Sequence, residues 1–408
     1  MPELRFPDFQ SSPSWEAKSL RDLGRFFRGL TYSARDVAEN GLLVLRSSNI
    51  QGGLLVLDKD LVFVGKDCPP DILLREGDVA ICMSNGSKAL VGKSGEYVGG
   101  HPGSATVGAF CSIFRATVPF ARLAFKSEKY SRFVALAIGG GNINNLKNSD
   151  LESFLFPVPR THDEQQKIAD CLSSLDELIA ARGRKVEALK AHKKGLMQQL
   201  FPQEGETVPR LRFPRFRAFG EWLEKPAGTL FRNRVESGSG GLPIYSVTMN
   251  DGLVNRSSLD RKIDDIANAE GNKKVHKYDI AYNMMRMWQG ASGVAPEDCM
   301  VSPAYVVLAP GSEVHAPYFG YLFKLPQYLQ LLTAHSQGLT KDRLRLYYKD
   351  FAGIPLPRPD LSEQKEIASA LQSIDELILV ASRKLNGLKT HKKGLMQQLF
   401  PSPEAMEA

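Results

Sequence analysis

The stretch HKKGLMQQLFP occupies residues 192–202 and returns, letter for letter, at residues 391–401. Eleven identical residues in the same order do not recur by chance in a chain of 408 residues, so the sequence contains an internal repeat. The match extends upstream with the same spacing of 199 residues, so that Asp176 returns as Asp375. The chain is therefore interpreted first as a duplicated object.

A second repeat links the start of the chain to its middle. LRFP at residues 4–7 returns at residues 211–214, and Trp15 returns as Trp222. Each half of the chain thus consists of a variable block followed by a common tail. We place the first block at 1–160, the first tail at 161–202, the second block at 203–359 and the second tail at 360–408.

Both tails have the apolar periodicity of one long helix. Thr161 with Glu164, and Asp360 with Glu363, have the spacing of a capping box at a helix start, and the proline of each repeated string ends the helix. About 37 residues at about 1.5 Å each predict a rod of about 55 Å. The apolar positions are Ile168, Leu172, Leu175, Ile179, Val186, Leu189, Leu196 and Leu200, and then Ile367, Leu371, Ile374, Ile378, Leu385, Leu388, Leu395 and Leu399.

A single apolar stripe of this kind, here called a seam, is as typical of a buried core helix or a homodimer interface as of a coiled coil within one chain. Two matching seams in one chain are always present together in equal amounts. This favours their pairing within the chain as a long antiparallel coiled coil. Arg182 and Ala381 interrupt the seam at matching positions, so the pairing should loosen near its middle. Antiparallel pairing predicts pseudo-twofold symmetry with the two variable blocks at opposite ends.

The variable blocks have the pattern of mixed α/β domains. Short apolar runs such as LLVLR, LVFVG, DVAICM, DIAYN and AYVVLAP alternate with turns rich in Gly, Asn and Ser. The predicted fold class is α+β, with two α/β domains separated by two long helices that form an antiparallel intramolecular coiled coil.

Composition narrows the possible functions. The net charge is +7, and residues 1–160 and 203–362 each carry +3, which is compatible with a nucleic-acid partner. No run of about 18 apolar residues and no apolar signal core is present, so we expect a cytoplasmic protein without membrane contact. Five dispersed cysteines without a CxxC pair argue against disulfides and a thiolate zinc site.

Three strings resemble enzyme motifs and fail on inspection. Residues 92–94 look like the end of a phosphate-binding loop, but Ser87 stands where a glycine is required. Residues 69–70 form the only Pro-Pro pair and lack the aromatic residue that adenine methyltransferases place after it. Residues 7–18 loosely match a metal-nuclease pattern, but the repeat has Arg215 in place of the aspartate. We therefore predict no catalytic residues and no metal ligands.

Several loops carry side chains suited to DNA. Arg and Lys pair with guanine, Asn and Gln with adenine, and glycines let the backbone approach phosphates. Taken alone, each loop is more often an ordinary turn, but their recurrence in both blocks favours binding. The predicted DNA-binding residues are Arg46, Asn49, Asn85, Ser87, Lys88, Lys93, Asn142, Asn144, Asn145 and Lys147 in the first block, and Ser246, Thr248, Asn283, Arg286, Trp288, Gln289, Gln337, Lys341 and Arg343 in the second.

The whole chain resembles the specificity subunit of a type I restriction–modification enzyme. The order of block and helix, repeated twice, and LMQQLFP at the end of each helix carry the resemblance. So do the block endings FPVP and IPLP before Glu-Gln and a helix, and the strings GDVAICMSNGSKALVGKS at 77–94, DIAYNMMRMWQGASGV at 279–294, VSPAYVVL at 301–308 and GLTKDRL at 338–344.

The resemblance implies that each block is a target recognition domain for one half of a bipartite DNA sequence, and that the helices set the distance between the halves. It implies two methyltransferase subunits and two restriction subunits as partners on double-stranded DNA. S-adenosylmethionine, ATP and Mg²⁺ would then bind those partners, and this chain would hold no cofactor.

Two alternatives belong to other classes. One is a stand-alone DNA nuclease or methyltransferase, which turnover by the isolated chain would reveal. The other is a coiled-coil adaptor that binds protein only, which would show no preference among DNA sequences.

Overall fold

The structure, a computed structural model, describes residues 2–139, 145–259, 269–340 and 343–400. The chain divides into two compact units. Unit 1 comprises Met1–Arg182 and Lys384–Ala408, and unit 2 comprises Gly183–Arg383. Both divisions fall inside the predicted helices, so each unit contains one variable block together with one half of each helix.

Unit 1 is built from short strands and helices followed by the first long helix. They are β1 (Glu16–Ser19), α1 (Leu20–Leu23), β2 (Gly24–Arg28), β3 (Val37–Ala38), β4 (Leu42–Leu45), β5 (Ile50–Gln51), β6 (Leu54–Leu55), β7 (Val62–Val64), β8 (Val79–Cys82), β9 (Ser94–Glu96), β10 (Ala105–Val107), β11 (Cys111–Ala116), α2 (Glu128–Gly139), α3 (Asn148–Glu152), β12 (Leu155–Val158) and α4 (His162–Leu200), which continues into unit 2.

The strands of unit 1 form a six-stranded sheet in the order β2-β11-β8-β9-β6-β5, a four-stranded sheet in the order β10-β4-β7-β3, and the pair β1-β12. β8 lies between β11 and β9, and all four of its residues, Val79–Cys82, are buried. This accounts for the unbroken apolar run VAIC, because a strand covered on both faces needs no polar alternation.

Unit 2 follows the same general plan, with fewer strands among its described residues. Its elements are β13 (Leu223–Pro226), α5 (Ala227–Leu230), β14 (Phe231–Asn233), β15 (Tyr245–Val247), β16 (Leu253–Asn255), β17 (Lys273–Val275), β18 (Ile280–Asn283), β19 (Ser292–Val294), β20 (Cys299–Val301), β21 (Tyr305–Pro310), α6 (Ala316–Leu322), α7 (Pro326–Ala334), α8 (Tyr348–Phe351), β22 (Pro355–Arg358) and α9 (Leu361–Leu399), which continues into unit 1. The central sheet has the order β14-β21-β18-β19, and β13-β22, β15-β16 and β17-β20 form pairs.

The two long helices run antiparallel where they meet in unit 1. Leu172 of α4 shares a buried core with Leu399 of α9, and one turn further along α4 the Asp176 carboxylate binds the Lys392 ammonium. Residue numbers therefore increase along α4 in the same direction in which they decrease along α9. The antiparallel pairing predicted from the apolar seams is therefore confirmed in this unit.

Unit 2 repeats the arrangement with the roles of the helices exchanged. Leu200 of α4 and Leu371 of α9 share a buried core, and Lys193 Nζ lies 2.6 Å from Asp375 Oδ1. These contacts use the same repeated positions as those of unit 1. Each helix has 39 residues, two more than the seam and its caps predicted.

A buried ion pair joins the repeated LRFP segment to the first turn of a helix in each unit. Arg5 donates to both carboxylate oxygens of Glu164 at 2.7 Å in unit 1. Arg212 donates to both oxygens of Glu363 at 2.7 and 2.8 Å in unit 2. Both glutamate side chains are 1% exposed. The glutamates therefore do not close the predicted capping boxes, because the arginines bind their carboxylates. Asp360 nevertheless caps its helix, since its Oδ1 accepts from the Ser362 amide at 2.8 Å.

The same segments also lie against the end of the other helix. The Leu4 amide donates to the Gln398 carbonyl at 2.9 Å in unit 1, and the Leu211 amide donates to the Gln199 carbonyl at 2.9 Å in unit 2. Four residues of repeated sequence thus connect the start of one helix to the end of its antiparallel neighbour. This explains why the LRFP segment is duplicated together with the helices.

Breaking one of these buried pairs should destabilise its unit strongly. Glu363→Gln leaves the Arg212 guanidinium buried without its counter-charge, which costs about 3–5 kcal/mol in comparable sites. Glu128→Gln is the control, because Glu128 pairs with Arg132 on an exposed helix face and should lose less than about 1 kcal/mol. Urea unfolding measures both, and equal losses would contradict the importance of the buried pair.

Candidate nucleic-acid interface

Three loops of the first block that were predicted separately lie together in unit 1. The Leu146 amide donates to the Met83 carbonyl at 2.7 Å, and Ser84 forms an antiparallel bridge with Asn145. The Asn85 side-chain amide donates to the Ser47 hydroxyl at 3.1 Å. The loops at 46–49, 84–93 and 145–147 therefore form one surface at the ends of β4 and β8.

The predicted residues of unit 1 differ in accessibility. Asn49 must be removed from the predicted set, because it is fully buried, accepts from the Arg46 amide at 2.8 Å and donates to the Lys59 carbonyl at 2.9 Å. Its side chain holds the loop in place and is unavailable to DNA. Arg46, Ser87, Lys88, Asn145 and Lys147 are exposed, Asn85 and Lys93 are half-buried, and Asn142 and Asn144 lie outside the described residues.

Unit 2 brings its loops together in the same way. The Leu346 amide donates to the Met284 carbonyl at 2.9 Å, as Leu146 does to Met83 in unit 1. Gln337 and Arg345 exchange backbone hydrogen bonds at 2.9 and 2.8 Å, which closes the loop between them. The loops after β18 and before α8 therefore form one surface.

The predicted residues of this second surface also divide by accessibility. Arg286, Gln289, Gln337 and Arg343 are exposed, Asn283 and Trp288 are half-buried, and Lys341 lies outside the described residues. The Asn283 carboxamide oxygen accepts from the Met285 amide at 3.0 Å, and the Trp288 indole donates to the Met285 carbonyl at 3.0 Å. These two side chains shape the loop from which Arg286 and Gln289 project.

Ser246 and Thr248 take part in local hydrogen bonds. Ser246 is buried and accepts from Arg256 Nε at 3.0 Å. Thr248 accepts from the Asp251 amide at 2.9 Å and donates to the Gly252 carbonyl at 3.2 Å, so it forms the turn between β15 and β16. Ser246 is therefore committed to local structure, whereas half-buried Thr248 stays a predicted DNA-binding residue.

In each unit the loop that follows a central strand, β8 or β18, ends at a glycine with a left-handed backbone. The φ angle is 78° at Gly92 in unit 1 and 86° at Gly290 in unit 2. A side chain from a distant part of the unit, buried Tyr130 in unit 1 and half-buried Lys324 in unit 2, binds the carbonyl oxygen of each glycine. The Tyr130 hydroxyl of α2 donates to the Gly92 carbonyl at 2.8 Å in unit 1. In unit 2, Lys324 Nζ donates to the Gly290 carbonyl and, at 2.9 Å, to the Met249 carbonyl.

These two side chains, Tyr130 and Lys324, are here called clamps, and they differ in charge. Burial lowers the pKa of Lys324 to about 8, while Asp251 raises it and Lys193 lowers it further. Burial raises the pKa of Tyr130, which therefore stays neutral. The sequence contains no local signal for either clamp, because each partner is a backbone carbonyl more than 30 residues away.

Other functions find little support in the described residues. Within them, no group of three or more His, Cys, Asp or Glu side chains could hold a metal ion. In the loose nuclease pattern, Glu16 binds Lys18 at 2.9 Å instead of facing an acidic partner. No helix of the described chain combines the length and apolarity that a membrane span requires.

A family model described as "Type I restriction modification DNA specificity domain" matches residues 117–191 and 216–390, which is more than half of the chain. The chain is 31% identical over 175 residues to the EcoKI specificity subunit of Escherichia coli K12, covering 40% of this chain and 36% of that relative. It is 30% identical over 195 residues to the StySPI specificity subunit of Salmonella potsdam, covering 46% and 40%. The chain thus matches less than half the length of each relative.

Solved structures share the fold over nearly the full length. The S subunit of a type I restriction–modification system from M. genitalium has a TM-score of 0.64 at 16% identity, covering 98% of this chain and 99% of that one. A second chain comes from a study of complex assembly and conformational transition of the type I R-M system, with a TM-score of 0.51, 16% identity and coverage of 95% and 96%. The predicted fold class is confirmed.

Removing either clamp should loosen the loop that it holds. Tyr130→Phe should raise amide hydrogen exchange at residues 84–92, and Lys324→Met at residues 284–290, each without a change in the other unit, because each clamp is internal to its unit. Hydrogen–deuterium exchange by mass spectrometry measures this. Lys349→Met, at an exposed lysine of unit 2, is the control, and a response equal to that of Lys324→Met would contradict the clamp.

Proposed function

Because the chain belongs to the family of type I restriction–modification DNA specificity domains, we propose that it reads a bipartite target in double-stranded DNA, one half with each unit. Each unit would place its joined loops in the major groove, where base pairs present distinct donors and acceptors. Exposed Arg286 and Gln289 in unit 2, and Arg46 and Lys88 in unit 1, have side chains suited to such contacts.

One observation supports the bipartite reading above all. The two units use equivalent backbone bonds, from Leu146 to Met83 and from Leu346 to Met284, to bring equivalent loops together. The exposed side chains on those loops are nevertheless different in the two units. A common scaffold with different exposed residues is the expected result when two readers of one origin recognise two different half-sites.

The reactions themselves would belong to partners. Methylation of adenine with S-adenosylmethionine would be carried out by two methyltransferase subunits, and ATP- and Mg²⁺-dependent cleavage by two restriction subunits. The chain would act in the cytoplasm as their non-catalytic scaffold. The repeated helices and LRFP segments offer the same residues twice, which suits the docking of two identical partners.

We further propose that α4 and α9 set the spacing between the half-sites. Both are continuous over 39 residues, and each belongs to both units. The contacts that fix their register, Asp176 with Lys392 and Lys193 with Asp375, lie on repeated positions. A rod of fixed length with fixed register is a physical means of setting a distance.

Mapping methylated adenines tests the reading function. In cells that express the chain with its methyltransferase partners, we expect one bipartite motif. The pair Arg286→Ala and Gln289→Ala should relax one half-site and leave the other unchanged, because a bidentate base contact contributes about 1–3 kcal/mol of discrimination. Lys349→Ala, at an exposed lysine on α8, should change neither.

Two results would overturn this function. DNA cleavage or methylation by the isolated chain would indicate an enzyme. A chain that binds its protein partners but shows no preference among DNA sequences would be an adaptor.

Shortening both helices by one heptad tests the spacing role. Deleting residues 181–187 and 381–387 keeps both ion pairs in register, because both deletions lie between the paired positions. Removing about 10 Å of helix should shorten the spacer by about three base pairs and leave the half-site sequences unchanged. Altered half-sites with constant spacing would refute this role, and deletion from one helix alone serves as the mispaired control.

A further inference from the structure

The side chain of Phe110 is 71% exposed, more than that of any other aromatic residue in the described part of the chain. Phe110 lies in the short loop between β10 and β11 of unit 1. A single exposed apolar side chain is normal on a folded surface, and it points to an interaction site only where other binding groups surround it. The surroundings of Phe110 therefore decide whether it belongs to a site.

The exposure does not come from a loose loop. The Phe110 carbonyl accepts from the Met83 amide at 2.8 Å and from the Ser84 amide at 3.3 Å. Two residues earlier, the Gly108 amide donates to the Leu45 carbonyl at 2.9 Å, and the Gly108 carbonyl accepts from the Cys111 amide at 2.8 Å. The backbone is thus held on both sides of the ring, which is presented to solvent by a fixed loop.

The ring borders a cleft of about 570 Å³ that is open on one side. Its walls include Tyr32, Arg46, Ser47 and Asn85, which come from three other loops. The hydrogen bond from Asn85 to Ser47 holds two of these loops at a fixed separation, so the cleft exists before any ligand binds. Its volume lies within the range of small-ligand sites, which is about 300–1,000 Å³.

The lining has the chemistry of a nucleotide site. Among the described residues that line the cleft, Arg46 is the charged one and none is a carboxylate. The Arg46 guanidinium can bond to a base edge, and the Asn85 carboxamide, which donates to Ser47 and accepts from the Ser87 amide at 3.0 Å, keeps one donor hydrogen and one acceptor lone pair for the same purpose. The Phe110 and Tyr32 rings offer faces on which a base can stack. A positive charge without acidic neighbours suits a polyanion and disfavours a cationic ligand.

Unit 2 differs at the equivalent position. In the central sheets, Cys111 pairs with Cys82 and Tyr305 pairs with Asn283, at equivalent ends of β11 and β21. The residue that precedes Tyr305 is Ala304, so a methyl group stands where unit 1 has the Phe110 ring. The exposed ring at this strand position is therefore a feature of unit 1.

We propose that the cleft of unit 1 holds one nucleobase, unstacked from the duplex, of the half-site that unit 1 reads, with the base against Phe110 and its edge toward Arg46 and Asn85. This inference rests on the proposed function and adds to it a distortion confined to one half-site. The base is recognised by contacts on its face and edge that a stacked base pair cannot offer at the same time.

The test places 2-aminopurine at each position of the target duplex in turn, with the full chain bound to its methyltransferase subunits. A methyltransferase flips its own target base, so the diagnostic signal is brightening at another position. We expect it in the unit 1 half-site, identified as the one that Arg286→Ala leaves unchanged. Phe110→Ala should abolish this signal and weaken binding about 5- to 150-fold, the range for loss of one stacked base.

Two variants control for general effects. Leu136→Ala removes an apolar side chain that is 80% exposed on α2 and does not line the cleft, so it should leave both binding and fluorescence unchanged. Phe110→Tyr keeps the ring and should retain both. Unfolding temperatures confirm that all variants fold.

The possible results distinguish failure of the nucleobase cleft from failure of the proposed function on which it rests. Normal preference for the target with no brightening beyond the methylated adenines, or with Phe110→Ala equal to the unaltered chain, overturns the nucleobase cleft alone. No preference for the target over scrambled DNA in the unaltered complex overturns the proposed function as well.

Discussion

The buried pair between a repeated arginine and a repeated glutamate is the constraint on which each unit depends. Arg212 engages both oxygens of Glu363, and neither charge can be left buried alone without a cost of several kcal/mol. The arginine follows Leu211, whose amide binds the end of the other helix at Gln199. One segment thus ties the start of one helix to the end of the other, a connection that parallel helices would break. The antiparallel arrangement follows from this segment as much as from the apolar seam.

A second repeated residue shows how the common frame carries different domains. Asp176 binds Lys392 of the partner helix and also Lys126 of its own block, at 3.2 Å. Its counterpart Asp375 binds Lys193 and also accepts from the Tyr321 hydroxyl of its block, at 2.7 Å. The contact between helices is conserved in the repeat, whereas the contact with the block is made by a different side chain in each unit. The helices can therefore stay alike while the blocks diverge.

The long helices could be predicted because heptad spacing is a local signal repeated over many turns. The convergence of the loops could not, because the bond from Leu146 to Met83 joins positions far apart in sequence. Residue type alone was insufficient for the candidate surface. Asn49 has the chemistry of a base contact, but its environment commits it to the loop backbone. Phe110 was missed for the opposite reason, since a single phenylalanine among small residues has no period and its exposure depends on neighbours from other strands.

The loops proposed to contact DNA are held in place by hydrogen bonds that do not involve the exposed side chains proposed to contact the bases. In both units the loop is fixed through carbonyl oxygens, by Tyr130 at Gly92 and by Lys324 at Gly290. A loop ordered before binding loses less conformational entropy on contact with DNA, so more of its interaction energy remains for discrimination. Because the clamps bind the backbone, exposed residues such as Arg286 can be exchanged without altering loop geometry. Under the proposed function, substitution at a few exposed positions would let a unit read a new half-site, while the helices, the buried ion pairs and the clamps remain as they are.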